Sequence, residues 1–141
     1  MRGLVLYEDE SYANFLPLVG WRSVAELRVG RKIILDVVAQ RLGLPVVGVW
    51  TRDWLASIAA QRCGAPANLP LDGPAILANG RWLPGGEVQF SDSSTIGVIG
   101  DEIAYIVCDE TLAGRLASAD LLNRERRCSA INGLPQVEAP G

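Results

Sequence analysis

Histidine is absent from this sequence of 141 residues, and its absence excludes several kinds of site. Serine and cysteine nucleophiles that depend on an imidazole base, histidine general acids and histidine-containing zinc sites are all ruled out. Any catalysis therefore has to use carboxylates, lysine, arginine, tyrosine or backbone groups.

Cysteine and positive charge are also scarce. The three cysteines, at positions 63, 108 and 128, are widely spaced, a pattern that indicates neither a disulfide framework nor a thiolate metal site. Lysine and arginine total 13 against 16 acidic residues, which leaves a formal net charge of −3. This balance argues against a broad nucleic-acid-binding face, although it allows a local anion pocket.

Long apolar runs are missing too. No run approaches the ~18 residues of a membrane span. The apolar N-terminus meets Glu8, Asp9 and Glu10 before a secretory segment can form. We therefore expect a cytoplasmic protein that has reduced thiols and no membrane partner.

Strand and helix patterns alternate along the first half of the chain. Apolar runs at residues 3–7, 46–50 and 75–78 predict buried strands. Helical spacing of apolar residues predicts one helix over residues 31–42 and another from the cap residue Thr51 to Gly64. This order predicts an α/β domain with a mainly parallel sheet.

The second half of the chain has shorter patterns. Residues 96–99 and 103–107 flank a turn and predict an antiparallel hairpin at one edge of the sheet. Short helices are predicted around residues 111–116 and 119–127, with Arg124 to Arg127 as a solvated face.

The last residues contain glycine and proline without an apolar period. We therefore assign residues 1–131 to one domain and residues 132–141 to a linker or tail.

A cluster of cations stands out between the first predicted strand and the first predicted helix. Arg22, Arg28, Arg31 and Lys32 lie within eleven residues, where open α/β sheets bind ligands at the carboxyl ends of their strands. A helix N-terminus already attracts anions, so cations beside it indicate a phosphate-bearing partner. The alternative is that Arg22 and Arg28 pair with nearby acids while the other two are solvated.

Two stretches resemble a known family. The first is Leu16-Pro17-Leu18 with the segment from Arg22 to Gly30, and the second runs from Ile76 to Pro84. Together they resemble bacterial sugar-1-phosphate nucleotidylyltransferases. More narrowly, they resemble the N-terminal domain of a divergent branch similar to the bifunctional uridylyltransferase and acetyltransferase that makes UDP-N-acetylglucosamine.

The resemblance implies a three-layer, Rossmann-like nucleotidyltransferase fold. It implies transfer of a nucleoside monophosphate from a nucleoside triphosphate to a sugar 1-phosphate, with release of pyrophosphate. It also implies that a β-helix domain follows this one and forms homo-oligomers.

The resemblance also implies roles for individual residues. Arg22 and Arg28 would be the catalytic cations on the phosphates. The metal-binding aspartate of the family falls near Arg81 in this chain, so a Mg²⁺ ion would instead be held by Glu8 and Asp9, in the loop where the chain departs from the family. Six further residues would line the nucleotide and phosphate site: Trp21, Gly30, Arg31, Asn79, Gly80 and Arg81. Turn chemistry by itself also explains Asn79 and Gly80, and the other tryptophans, Trp50, Trp54 and Trp82, are assigned to the core.

The chain departs from the family in the loop after the first strand. Residues 8–10 are three acids where the family has a glycine-rich phosphate loop. Two interpretations stay open. In the first, these acids hold Mg²⁺ while Arg22, Arg28 and Arg81 neutralise the phosphates. In the second, the acids form a solvated loop of a catalytically degenerate module that binds a nucleotide sugar or supports assembly.

Overall fold

The computed structural model describes residues 2–15, 20, 22–86 and 88–140. Strands in this part of the chain are β1 (Gly3–Tyr7), β2 (Arg28–Val29), β3 (Lys32–Ile33), β4 (Val46–Trp50), β5 (Ala75–Asn79), β6 (Thr95–Ile99), β7 (Glu102–Cys108) and β8 (Gln136–Glu138). The α-helices are α1 (Ile34–Leu42), α2 (Ala56–Cys63), α3 (Glu110–Ala113), α4 (Ser118–Leu122) and α5 (Arg124–Ala130). None of the helices described is long and apolar enough to cross a membrane.

Six strands form one sheet in the order β4-β1-β5-β7-β6-β8, and β2 and β3 form a separate antiparallel pair. β1 is parallel to both β4 and β5, β7 is antiparallel to its two neighbours, and β8 is parallel to β6. All residues of β1 and β5 are buried, as expected for central strands covered on both faces. The predicted α/β fold with a mainly parallel sheet is confirmed.

Helices cover both faces of the sheet, which makes three layers. Leu4 and Leu6 face one core together with residues of α1 and α2, such as Leu35 and Ala59. Alternate residues of β1 face a second core against α3 and α4, where Leu112 and Leu121 are fully buried. The period of two along β1 therefore divides its side chains between the two layers of helices.

The predicted helix over residues 31–42 is wrong at its first turn. Gly30 has a φ of +68° and forms the turn between β2 and β3, and α1 begins only at Ile34. Arg31 lies in this turn and Lys32 in β3, so neither cation opens the helix. Glycine favours that turn because a left-handed conformation costs it little. The predicted end at Gly43 is confirmed, with a φ of +66°.

The predicted hairpin forms from β6 and β7, but β6 is not the outermost strand. β8 pairs with β6 and lies within the segment 132–141, which the sequence analysis assigns to a linker or tail. The Ala139 amide donates to the Val98 carbonyl at 2.9 Å, and the Trp82 indole donates to the Pro140 carbonyl at 2.7 Å. This strand could not be predicted from the sequence, because its three residues are all exposed and show no apolar alternation.

Candidate functional site

The carboxyl ends of β4, β1 and β5 lie side by side. Tyr7, the last residue of β1, is in register with Trp50 of β4 and Asn79 of β5. The residues that follow these three positions therefore meet at one edge of the sheet, which is where open α/β folds bind ligands. Two of the predicted site segments, residues 8–9 and 79–81, come together here.

Glu8 is buried, and both of its carboxylate oxygens accept hydrogen bonds. Oε1 accepts hydrogen bonds from the Thr51 hydroxyl, from the Arg52 amide at 2.8 Å and from Arg52 Nε at 2.8 Å. Oε2 accepts from the Val24 amide at 3.0 Å. Thr51, predicted as a helix cap, instead donates its hydroxyl to this buried carboxylate, and a 3-10 turn at Asp53–Leu55 precedes α2.

Asp9 is also buried and paired. Its Oδ2 accepts from Asn79 Nδ2 and from Arg81 Nη2, each at 3.1 Å, and its Oδ1 accepts from the Ser11 amide at 2.9 Å. Arg81 donates in addition to Glu102 at 2.7 Å. Arg81, predicted to contact phosphate, therefore lies between two carboxylates that already balance its charge.

Glu10 completes a series of three paired acids. It forms an ion pair with Arg127 of α5, whose guanidinium also donates to the Leu121 carbonyl. The hydrogen bond from Arg127 lowers the pKa of Glu10 below its ordinary value. The predicted solvated face from Arg124 to Arg127 is wrong for Arg127, which is buried.

The acidic loop fits neither of its two predicted roles. Glu8 and Asp9 are 3% and 5% exposed, so they do not belong to a solvated loop. Each of their four carboxylate oxygens already accepts a hydrogen bond. The described residues contain no group of three Cys, Asp or Glu side chains placed to hold a metal. As arranged here, Glu8 and Asp9 do not fit a magnesium site.

A basic cleft lies beside this edge of the sheet. Its volume is ≈ 330 Å³, and five residues line it: Arg22, Glu26, Arg28, Ile33 and Arg62. We call it the arginine cleft. Arg62 comes from α2 and donates to Glu26 at 3.3 Å. The lining residues comprise three arginines and one glutamate, so their formal charge is positive, as an anion site requires.

The other predicted site residues lie in different places. Gly30 and Arg31 are exposed at the β2–β3 turn and do not line the arginine cleft. Trp21 lies outside the described residues. Arg28 lines the cleft, and its Nη1 also donates to the Arg31 carbonyl at 3.2 Å.

Asn79 and Gly80 have structural roles at the end of β5. The Asn79 side chain accepts from the Arg81 amide at 3.0 Å, as turn chemistry predicts. Gly80 packs so closely that an added Cβ would lie 2.8 Å from Val24 Cγ1. A second cavity of ≈ 390 Å³ lies on this side and is lined by Asn79, Arg81, Trp82, Leu83, Ile99, Glu102, Ile103 and Ala104.

Sequence reasoning missed Arg52 and Arg62, which belong to this region. Arg52 follows the predicted strand over residues 46–50, and Arg62 lies in the predicted helix that ends before Gly64. Nothing in their spacing distinguishes them from surface arginines. The prediction that Trp54 belongs to the core is also wrong, because Trp54 is 60% exposed, whereas Trp50 and Trp82 are buried. Arg52 lies 5.2 Å from the Trp54 ring centroid.

Comparisons with known proteins define the family. Neither a search of curated proteins nor a search of solved structures found a match. The family model described as sugar nucleotidyl transferase matches residues 4–137, which is nearly the whole chain and includes both the acidic loop and the arginine cleft. The chain belongs to the sugar nucleotidyltransferase family.

Proposed function

We propose that this domain transfers a nucleoside monophosphate from a nucleoside triphosphate to a sugar 1-phosphate and releases pyrophosphate. An oxygen of the sugar phosphate attacks the α-phosphorus, and the bond from that phosphorus to the pyrophosphate oxygen breaks. Family membership supports the class of reaction. The observation that carries the proposal is the arginine cleft, because phosphates need preorganised positive charge both to bind and to react.

The residues of the cleft suit a phosphate chain. Arg22 and Arg28 are exposed, so their guanidinium groups can reach a ligand and bind phosphate oxygens in pairs. The volume of ≈ 330 Å³ is at the lower end of ligand pockets, which favours the phosphates as its occupant. Arg62 of α2 also lines the cleft, where its ion pair with Glu26 offsets the charge of that carboxylate.

The resemblance supports a finer proposal about the whole protein. The stretches around residues 16–30 and 76–84 are similar to the N-terminal domain of the divergent uridylyltransferase-like branch. We propose that this domain is the N-terminal part of a larger cytoplasmic enzyme, in which a β-helix domain forms homo-oligomers.

A second candidate function is a catalytically degenerate module that binds a nucleotide sugar or supports assembly. The pairing of Glu8 with Arg52 and of Asp9 with Arg81 favours it, because these carboxylates offer no free oxygen to a metal. The transferase proposal consequently gives neither acid a part in the reaction. Mg²⁺ stays a predicted cofactor, and titrations with and without Mg²⁺ test it.

The test is a titration of ¹⁵N-labelled protein with UTP and with UDP-N-acetylglucosamine, each with and without Mg²⁺. We expect amide shifts at residues 22–28 and at Ile33 and Arg62, where the arginine cleft lies. Arg28→Met should weaken UTP binding about tenfold, because it removes a charge-assisted phosphate contact. The matched control is Arg126→Met, which removes an exposed ion pair with Asp120 and should leave binding unchanged.

The outcomes separate the two candidates. Binding of UTP with release of pyrophosphate in the presence of a sugar 1-phosphate supports the transferase. Binding of the nucleotide sugar without turnover supports the degenerate module. The absence of shifts at millimolar UTP would contradict the transferase.

A further inference from the structure

Arg52 makes more contacts than an ion pair requires. It is 5% exposed, although it follows β4 by only two residues. Its Nε donates to Glu8 at 2.8 Å, and its Nη2 donates to the Arg22 carbonyl at 2.9 Å. The guanidinium also lies 4.1 Å from the Tyr12 ring centroid, which is a cation–π contact. A single side chain therefore connects the ends of β1 and β4 to the backbone of Arg22.

Glu8 holds the same segment at a second point. Its Oε2 accepts from the Val24 amide at 3.0 Å. The backbone is thus tied at Arg22 by Arg52 and at Val24 by Glu8, on either side of Ser23. The bond at Val24 is buried and the bond at Arg22 is partly buried, and hydrogen bonds to charged groups are stronger than those between neutral groups.

The tied segment carries one wall of the arginine cleft. Arg22 and Glu26 both line the cleft, and they lie at the two ends of this short segment. The side chain of Arg22 is exposed, so its own contacts do not fix its position, whereas its backbone is held by Arg52.

We propose that Arg52 is a positioning residue that holds Arg22 at the arginine cleft, with Glu8 as its fixed anchor rather than a metal ligand. Arg52 does not line the cleft and acts through Arg22. The inference rests on the proposed function, since it assumes that the cleft binds phosphate.

Lysine cannot replace arginine in this role. A lysine ammonium at position 52 keeps the charge next to Glu8, but it lacks the planar fork that reaches Glu8 and the Arg22 carbonyl at once. Arg52→Lys therefore releases Arg22 while it retains the ion pair. Thr51→Val is the matched structural control, because it removes one hydrogen bond to Glu8 and leaves the bond from Arg52 to Arg22 in place.

The experiment measures the affinity of each variant for inorganic pyrophosphate at fixed ionic strength, under conditions in which every variant is folded. Amide hydrogen exchange over residues 22–26, measured without any ligand, shows whether the hydrogen bonds at Arg22 and Val24 still hold this segment. We expect Arg52→Lys to raise the Kd about fivefold or more and to speed exchange in this segment. Thr51→Val should change the Kd by less than about twofold, even if it lowers the melting temperature.

A double variant provides a second test if Arg52→Lys does not fold. In the double variant Glu8→Gln with Arg52→Met, both charges are removed together, so neither is left buried without its partner. Its Kd for pyrophosphate should exceed that of the wild type about fivefold or more, and a wild-type Kd would overturn the inference.

Two results would overturn the inference alone: wild-type affinity in Arg52→Lys, or an equal loss of affinity in Thr51→Val. If the wild-type protein does not bind pyrophosphate, both the proposed function and the positioning role are overturned. This outcome is seen before any variant is compared.

Discussion

At the scale of single residues, the three consecutive acids after β1 are the most informative feature of the molecule. Glu8, Asp9 and Glu10 each pair with an arginine from a different part of the chain: Arg52 after β4, Arg81 after β5 and Arg127 in α5. Adjacent acids repel one another, and three dispersed cations remove that repulsion. In the sequence these acids resemble a metal site or a solvated loop. In the structure their ion pairs connect the end of β1 to Arg52, Arg81 and Arg127.

Replacement of one member of the most buried pair should be costly. Glu8→Gln leaves the Arg52 guanidinium buried without a counter-charge, and we expect the free energy of unfolding to fall by about 3 kcal/mol. Urea denaturation measures the loss. Arg126→Met, at an exposed ion pair, should change the same quantity by less than about 1 kcal/mol. An equal effect of the two variants would show that the burial of Glu8 has no energetic weight.

The Glu10–Arg127 pair predicts a pH dependence of stability. Because the pKa of Glu10 in the folded protein is lowered from its ordinary value of 4.5, its contribution is complete above that value and is lost as the pH falls through the folded pKa. The difference in unfolding free energy between the wild type and Glu10→Gln should therefore be constant near neutral pH and should shrink in acid. A difference that grows on acidification would contradict this assignment.

At the scale of elements, the 3-10 turn at Val24–Glu26 joins the site to the fold. It lies against α1, α2 and β1, and the Ser23 amide donates to Glu26 at 2.9 Å, which closes the turn. Its position depends on a close approach to the end of β5. Gly80 contacts this turn at Val24, and the Gly80 amide donates to the Tyr7 carbonyl at 2.8 Å.

Gly80→Ala should therefore disturb both the fold and the cleft. The added methyl group would lie 2.8 Å from Val24 Cγ1 and 3.3 Å from the Tyr7 carbonyl oxygen, so the turn has to move. We expect a loss of about 2 kcal/mol in unfolding free energy, measured by urea denaturation, together with shifted amide resonances at residues 23–27. Gly73→Ala is the control, since its Cβ would meet no atom within 4 Å. The same loss in both variants would exclude a steric cause.

At the scale of the whole molecule, the sheet extends to the segment that follows α5. β8 covers the edge of β6, Ala139 is buried, and Trp82 donates its indole N–H to the Pro140 carbonyl. The segment after residue 134 is therefore part of the folded domain, even though its strand has only three residues. It also protects an edge that could otherwise pair with another chain.

Truncation after residue 134 should destabilise the domain and expose this edge. The deletion removes the ladder hydrogen bonds between β6 and β8 and leaves the indole N–H of Trp82 without its acceptor. We expect a loss of about 2 kcal/mol or more in unfolding free energy, measured in urea, together with self-association visible in sedimentation. Glu138→Ala, at an exposed position of β8, should stay within about 0.5 kcal/mol of the wild type. A truncated domain as stable as the full chain would contradict the structural role of β8.

The class of fold could be predicted from local patterns in the chain. Continuous apolar runs such as residues 3–7 and helical periods such as that of α1 depend on local spacing, so the α/β order could be predicted from them. The cluster at Arg22 and Arg28 was local as well, and it led to the arginine cleft. The pairing of the charges depends instead on contacts between distant parts of the chain. Glu8 meets Arg52 and Asp9 meets Arg81 because parallel strands bring their carboxyl ends together, and these partners are 44 and 72 residues apart. Pairing over such separations leaves no periodic pattern in the sequence, and so the burial of the acidic loop could be seen only in the folded chain.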